Sequence, residues 1–192
     1  MREIEIAERT RKYKERIPIK DEIIYSGYGA ALALLIFVLL TKEKIFLFLF
    51  VTLVSLLINY QTNMHTIRFN PDPEVFSSLM LTRLLGFHYS LLMLAIPTLL
   101  VDVYTARFDK DTLISLILTI LINYVMSIFP LINFVVLGII LVTIKFIAGL
   151  AINLALDISP QEILFEHVLG YVCNIIIFLA FGSFFINIFS IN

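Results

Sequence analysis

The chain has 192 residues, of which 60% are hydrophobic and only 15% are charged. Ordinary globular domains are about 45–50% apolar and about 25% charged, so this composition excludes a plain soluble domain, a disordered chain and a collagen-like fibre. The net charge of -1 gives no general field that would attract nucleic acid. A single cysteine, Cys173, excludes an internal disulfide and a thiolate metal cluster. Composition therefore predicts a polytopic membrane protein.

The first 22 residues are the most charged part of the chain and contain half of its 14 lysines and arginines. Glu5 and Arg9 form one of two acid–base pairs at i, i+4 spacing, which supports a solvated helix. This start lacks the apolar core that a secretory signal peptide requires. We therefore expect a charged, amphiphilic helix outside the bilayer over 1–22, followed by a membrane domain over 23–192.

Apolar runs separated by short polar breaks fill the remainder of the chain. A bilayer-crossing helix needs about 20 mostly apolar residues. Ser159, Pro160 and Glu162 form a capping-box pattern, with serine at N-cap and proline at N1, that marks the start of the last helix. The sequence predicts an all-α bundle with six spans over residues 23–40, 45–60, 75–104, 112–129, 131–156 and 160–190.

The third predicted span, 75–104, is longer than one crossing requires, which favours a tilted helix or one whose first turns lie in the interface. Pro97 lies within it and cannot donate a backbone hydrogen bond, so we expect a kink there. Small residues at i, i+4 in the first span, Gly27 with Ala31 and Ser26 with Ala30, suit close helix packing.

The distribution of Lys and Arg predicts the orientation. The basic cluster at the start of the chain adjoins the first span and favours a cytoplasmic N-terminus. Loop residues Lys42, Lys44 and Lys110 weakly favour the opposite orientation, but the N-terminal cluster is larger. With six crossings, the end of the last helix would return to the cytoplasmic side. The expected partners are the lipid bilayer and other protein chains.

The last two predicted spans carry polar and small residues at repeated four-residue steps. Such steps place the residues on one slowly turning face of each helix. We call the two faces together the hairpin stripe. Its members are Lys145, Gly149, Asn153 and Asp157 on the fifth span, and Glu162, Glu166, Gly170 and Asn174 on the sixth.

Simple antiparallel pairing of these spans would put Gly149 opposite Gly170 and Lys145 near Asn174. Two interpretations of the hairpin stripe stay open at this stage. Small and polar residues commonly hold membrane helices together. Ionisable residues in spans also mark ion or substrate pathways, in which case Lys145 and Glu166 would be the charged members.

Four further residues are intramembrane polar candidates. Arg83 and Asp102 are expected near the membrane interface, where their charges can reach water. The alternative for Asp102 is a role as counter-ion for Lys145. His88 is expected deeper, as a hydrogen-bonded core histidine or a proton-handling group. His167 adjoins Glu166 but points about 100° away on a helix, so the two do not form a ligand pair.

No motif for nucleotide phosphates, an esterase nucleophile or a metal appears in the sequence. We therefore expect no cofactor, no metal and no nucleic-acid partner. The favoured function is a small transport or channel module, or the membrane subunit of a transport complex. The first alternative is a non-catalytic membrane subunit or scaffold. A lipid- or peptide-acting membrane enzyme ranks last, because no acid–base set has hydrogen-bond spacing.

Overall fold

The computed structural model describes residues 21–64, 73–105, 110–156 and 160–189, and these residues form seven helices with no strand. The expected all-α fold is confirmed, whereas most of the charged first segment, 1–20, lies outside the described residues. We number the helices in chain order: α1 (Asp21–Thr41), α2 (Lys44–Met64), α3 (Pro73–Leu84), α4 (Phe87–Tyr104), α5 (Lys110–Ile128), α6 (Phe134–Ala155) and α7 (Pro160–Phe189).

Among the described residues, five helices have the length and apolar character to cross a membrane. Their apolar stretches are Glu22–Thr41, Lys44–Asn63, Phe87–Tyr104, Phe134–Ala155 and Val168–Phe189. The apolar stretch of α5, Thr112–Ile128, is shorter. Helix α3 has 12 residues, or about 18 Å at 1.5 Å per residue, which is less than the ~30 Å hydrocarbon core. These helices are what an integral membrane protein requires.

The third predicted span is not one continuous helix. The chain turns at Gly86, whose φ of 104° and ψ of 165° are readily adopted only by glycine. Glu74 at the start of α3 binds Asn59, and Asp102 at the end of α4 binds Asn63, one helical turn further along α2. A straight helix would separate residues 74 and 102 by about 42 Å. The expectation of one long helix is therefore wrong, because α3 and α4 form a hairpin.

The irregularity expected at Pro97 takes the form of a π-helix. Helix α4 is α-helical over Phe87–Leu94, π-helical over Ala95–Leu100, and α-helical again over Val101–Tyr104. Proline has no N–H to donate to the preceding turn, so the regular i→i−4 ladder is interrupted there. The wider π pattern lets the helix continue through the interruption.

Each helix reverses the direction of the one before it. Contacts between successive helices fix these reversals: Phe37 with Phe46, Asn59 with Glu74, Phe87 with Tyr124, Leu118 with Gly149, and Val135 with Gly182. Seven alternating helices put the start of α1 and the end of α7 at opposite ends of the bundle. The six-span expectation put them at the same end, and the extra reversal at Gly86 accounts for the difference.

Helix α3 lies at the centre of the bundle, in contact with α2, α4, α5, α6 and α7. Its buried residues are Val75, Phe76, Ser78, Leu79, Met80, Leu81 and Thr82. The ring of Phe76 meets Phe134 of α6 and Phe178 of α7 edge-on. Burial of these seven of its 12 residues explains how so short a helix is held in the bundle.

Helix α1 lies at the edge of the bundle and packs chiefly against α2. Only 11% of its apolar stretch is buried. Ala31 is buried and Gly27 faces Leu57 of α2, so this small-residue pair is used inside the chain. Ser26 and Ala30, the other pair, are exposed.

Candidate functional site

Helices α6 and α7, whose sequences carry the hairpin stripe, are antiparallel as expected. Their register differs by about one helical turn from simple pairing about the connecting loop. Phe146 stacks on Tyr171 with ring centroids 4.7 Å apart, close to where Gly149 was expected to meet Gly170. The atom nearest to a Cβ built on Gly149 belongs instead to Leu118 of α5, at 3.7 Å. The close approach of α6 to α7 uses other glycines, Gly138 and Gly182.

Most of the described stripe residues are buried. Gly149, Asn153, Gly170 and Asn174 have little exposure, and Lys145 is half-buried. The amide of Asn174 donates to the carbonyl of Gly170 in its own helix, at 2.9 Å. Asp157 lies outside the described residues, as do the side chains of Glu162, Glu166 and His167, so the pairings expected of those residues stay predictions.

Aromatic packing fills the middle of the α6–α7 seam. The hydroxyls of Thr143 and Tyr171 lie 3.2 Å apart, and Phe146 covers the ring of Tyr171. Phe178 is fully buried between the two helices. A seam filled by aromatic rings has the features of helix packing rather than of an aqueous path.

Arg83 joins the α3–α4 turn to the α5–α6 turn. Its guanidinium donates to the backbone carbonyls of Phe129, Pro130 and Ile132, at 3.2 Å for Phe129 and 2.5 Å for Ile132. These carbonyls follow the last turn of α5, where a cation is favoured by the helix dipole. The side chain is half-buried, so Arg83 connects two loops of the protein in addition to any contact with the interface.

His88 is exposed at the second residue of α4. The expectation of a deep, hydrogen-bonded core histidine is therefore wrong, whereas a proton-handling role for His88 stays a prediction. The physical reason is again the turn at Gly86, which brings His88 to the end of a helix instead of the middle of a span.

Asp102 has a more specific environment than the interface position expected for it. It is only 8% exposed. The amide of Asn63 donates to its carboxylate at 2.7 Å and to the hydroxyl of Thr105 at 3.1 Å. Thr105 in turn donates to the carbonyl of Val101. Three polar side chains therefore meet where α2 and α4 end.

The inner face of α2 continues this polar cluster into the bundle. Thr52, Ser55, Asn59 and Asn63 follow one another at steps of three or four residues and share one side of the helix. Thr52, Ser55 and Asn59 are buried, and Asn59 donates to the carboxylate of Glu74. We call these four residues the α2 polar face. Sequence reasoning missed this face, although its spacing was visible, because it contains no charged residue.

A separate polar network, centred on Asn123, connects α3 to α5. Thr82 donates to Oδ1 of Asn123 at 2.6 Å, and the amide of Asn123 donates to Ser78 at 2.9 Å and to the carbonyl of Thr119 at 2.8 Å. Asn123 is fully buried. Every hydrogen-bonding atom of its amide group is used, which is what a structural network in a core requires.

Among the described residues, no group of three or more His, Cys, Asp or Glu side chains could hold a metal ion. A cavity of about 270 Å³ lies between the start of α6 and the end of α7, lined in part by Asn133, Ser183 and Asn187. Asn133 uses its side-chain oxygen to cap α6, accepting from the backbone of Val135 and Val136. Uncharged side chains line this cavity, which is open to the outside.

No family model matches this chain, and comparisons with curated proteins and with solved structures also find no match. The polar cluster at Asp102, the α2 polar face and the network around Asn123 are therefore the basis for assigning a function.

Proposed function

We propose that the protein is a small membrane transport or channel module, and that its polar path follows α2 and α4. The observation that supports this proposal is the α2 polar face, which leads from Asp102 into the interior of the bundle. Polar and ionisable residues are costly inside a membrane and commonly mark ion or substrate pathways. The proposal therefore moves the path away from the hairpin stripe, where sequence reasoning had put it.

The helices beside this face support the same proposal. Helices α3 and α4 form an interrupted hairpin within the bundle, with a turn at Gly86 and a π-helix at Ala95–Leu100. Transporters commonly build their binding sites from discontinuous helices, and π-helical segments are frequent at functional sites. Helix α2, which carries the polar face, packs against this π-helical segment.

Reconstitution into liposomes tests the proposal. Vesicles containing the purified protein are loaded with dyes for H⁺, Na⁺ and K⁺, and flux is measured under imposed gradients. We expect flux of at least one of these ions, with an at least tenfold loss in Asp102→Asn. Thr143→Val removes a hydroxyl from the α6–α7 seam and is the matched control, which should retain the flux. Absence of flux, or equal flux in Asp102→Asn, would contradict the proposal.

A membrane subunit or scaffold is the second proposed function, supported by the outer face of α1. Ser26, Gly29 and Ala30 are exposed there, and no atom lies within 4 Å of a Cβ built on Gly29. Exposed small residues allow close approach of another membrane helix. Light scattering in detergent would show an oligomer that Ala30→Leu dissociates. A monomer in both proteins would count against this alternative.

A further inference from the structure

The buried hydroxyl of Thr52 on the α2 polar face is not accounted for by hydrogen bonding among the described residues. Thr52 is only 8% exposed, and its Oγ1 has no hydrogen-bond partner among the described residues. Threonine in a helix can donate to the carbonyl four residues earlier, as Thr119 and Thr143 do here. A buried polar atom without a partner is rare and points to a missing ligand, ion or water.

The position of Thr52 is fixed by contacts on either side of it. Phe48 meets Tyr89 edge-on at 5.6 Å, and Asn63 binds Asp102, so α2 and α4 run side by side in the same direction. Thr52 lies between these two contacts, and the same parallel register puts it beside residues 92–93 of α4, just before the π-helical segment that begins at Ala95. The next buried hydroxyl of the face, Ser55, lies one turn closer to Asp102.

We propose that Thr52 and Ser55, with backbone carbonyls of α4 where it enters the π-helical segment Ala95–Leu100, bind a monovalent alkali cation. Hydroxyl and carbonyl oxygens are the neutral donors that replace the hydration shell of such ions in channels and transporters. A divalent ion would need carboxylates as direct ligands. Asp102 lies more than two turns further along the face, so it cannot share this ion with Thr52.

The charge of the neighbouring groups favours a cation over an anion. Glu74 and Asp102 lie further along the α2 polar face and are held by Asn59 and Asn63. These two carboxylates add oxygen atoms that an approaching cation can contact at the outer end of the face. Asp102 therefore acts as the entry point, and the hydroxyl of Thr52 as part of the inner binding site. This inference rests on the path proposed above, but it is measurable without any flux.

Thermal unfolding of the full chain in detergent tests the inference. NaCl, KCl or LiCl replaces choline chloride at constant ionic strength. A ligand that binds only the folded state at 100 times its Kd should raise Tm by roughly 5–10 °C in a protein of this size. We expect such a rise with at least one alkali cation, its loss in Thr52→Val, and its retention in Thr52→Ser, which keeps the hydroxyl.

Thr119→Val is the matched control, since Thr119 is equally buried but its hydroxyl donates within α5. This variant should keep the full cation response. A response that persists in Thr52→Val, or no response to any alkali cation, overturns the inference and leaves a bound water as the partner of Thr52. If the protein shows ion flux but no Tm response, the proposed transport function stands and the cation site at Thr52 is rejected. A Tm response without flux would preserve the site and reject transport.

Discussion

The ring of Phe178 lies where a side chain of residue 138 would begin: a Cβ on Gly138 would be 2.1 Å from Cε1 of Phe178. Helices α6 and α7 therefore approach each other only because residue 138 has no side chain. We expect Gly138→Ala to lower the free energy of unfolding by about 1–3 kcal/mol, as overpacking of a filled core does. Thermal unfolding in detergent measures the loss.

Gly29→Ala is the matched control for this substitution, because a Cβ at Gly29 meets no atom within 4 Å. It should leave Tm unchanged or raise it slightly, since alanine favours helix more than glycine does. Adding Phe178→Leu to Gly138→Ala should restore part of the stability by freeing space. Equal Tm values for Gly138→Ala and the wild type would contradict this prediction. They would show that the ring of Phe178 is further from residue 138 than in the structure.

The same contact explains why sequence analysis found the α6–α7 hairpin but not its register. The connecting residues and the capping pattern at Ser159 are local signals, and they indicated two antiparallel helices. The register depends on which side chains fit together, such as Phe178 against Gly138 and Val135 against Gly182. Those pairs are far apart in the sequence, and their fit is a matter of volume that a four-residue period does not encode.

The α3–α4 hairpin was missed for a different reason. Gly86 has no proline nearby, the polar residues that flank it, Arg83 and His88, are scattered rather than grouped as in a loop, and glycine is common in membrane helices. Its backbone conformation becomes visible only with the structure. The contacts that require the reversal join Asn59 to Glu74 and Asn63 to Asp102, and no local pattern predicts such pairs.

The network around Asn123 should contribute to stability as a unit. Removing the hydroxyl in Thr82→Val leaves Oδ1 of the fully buried Asn123 without the donor that it has now. We expect a loss of about 1–3 kcal/mol, the typical cost of an unsatisfied buried polar group. Asn123→Leu should cost at least as much, because it leaves Thr82 without its acceptor and also removes the bonds to Ser78 and to the carbonyl of Thr119.

A double-mutant cycle separates this network from simple loss of packing. If the two side chains act through their mutual hydrogen bond, Thr82→Val with Asn123→Leu should cost less than the sum of the single substitutions, by roughly 0.5–3 kcal/mol. Strict additivity of the two losses would argue against the hydrogen bond between α3 and α5.

Any other residue at position 86 should lower the free energy of unfolding. Its φ of 104° with ψ of 165° lies outside the left-handed helical region that asparagine can adopt. We therefore expect Gly86→Ala and Gly86→Asn to cost about the same, roughly 1–3 kcal/mol each, from backbone strain alone. No atom lies within 4 Å of a Cβ built there, so a steric clash adds nothing. An asparagine variant as stable as the wild type would mean that the turn has ordinary left-handed geometry.

The reversal at Gly86 also predicts the topology in the membrane. Because seven helices alternate in direction, the start of α1 and the end of α7 should face opposite sides of the membrane. Single cysteines at exposed positions, Glu22→Cys and Asn187→Cys, can be placed in a Cys173→Ser background. A membrane-impermeant maleimide applied to intact cells should label one of the two, and the other should react only after permeabilisation. If both cysteines were labelled from the same side, the prediction would be wrong. The six-span arrangement would then hold, and α3 would not cross the membrane.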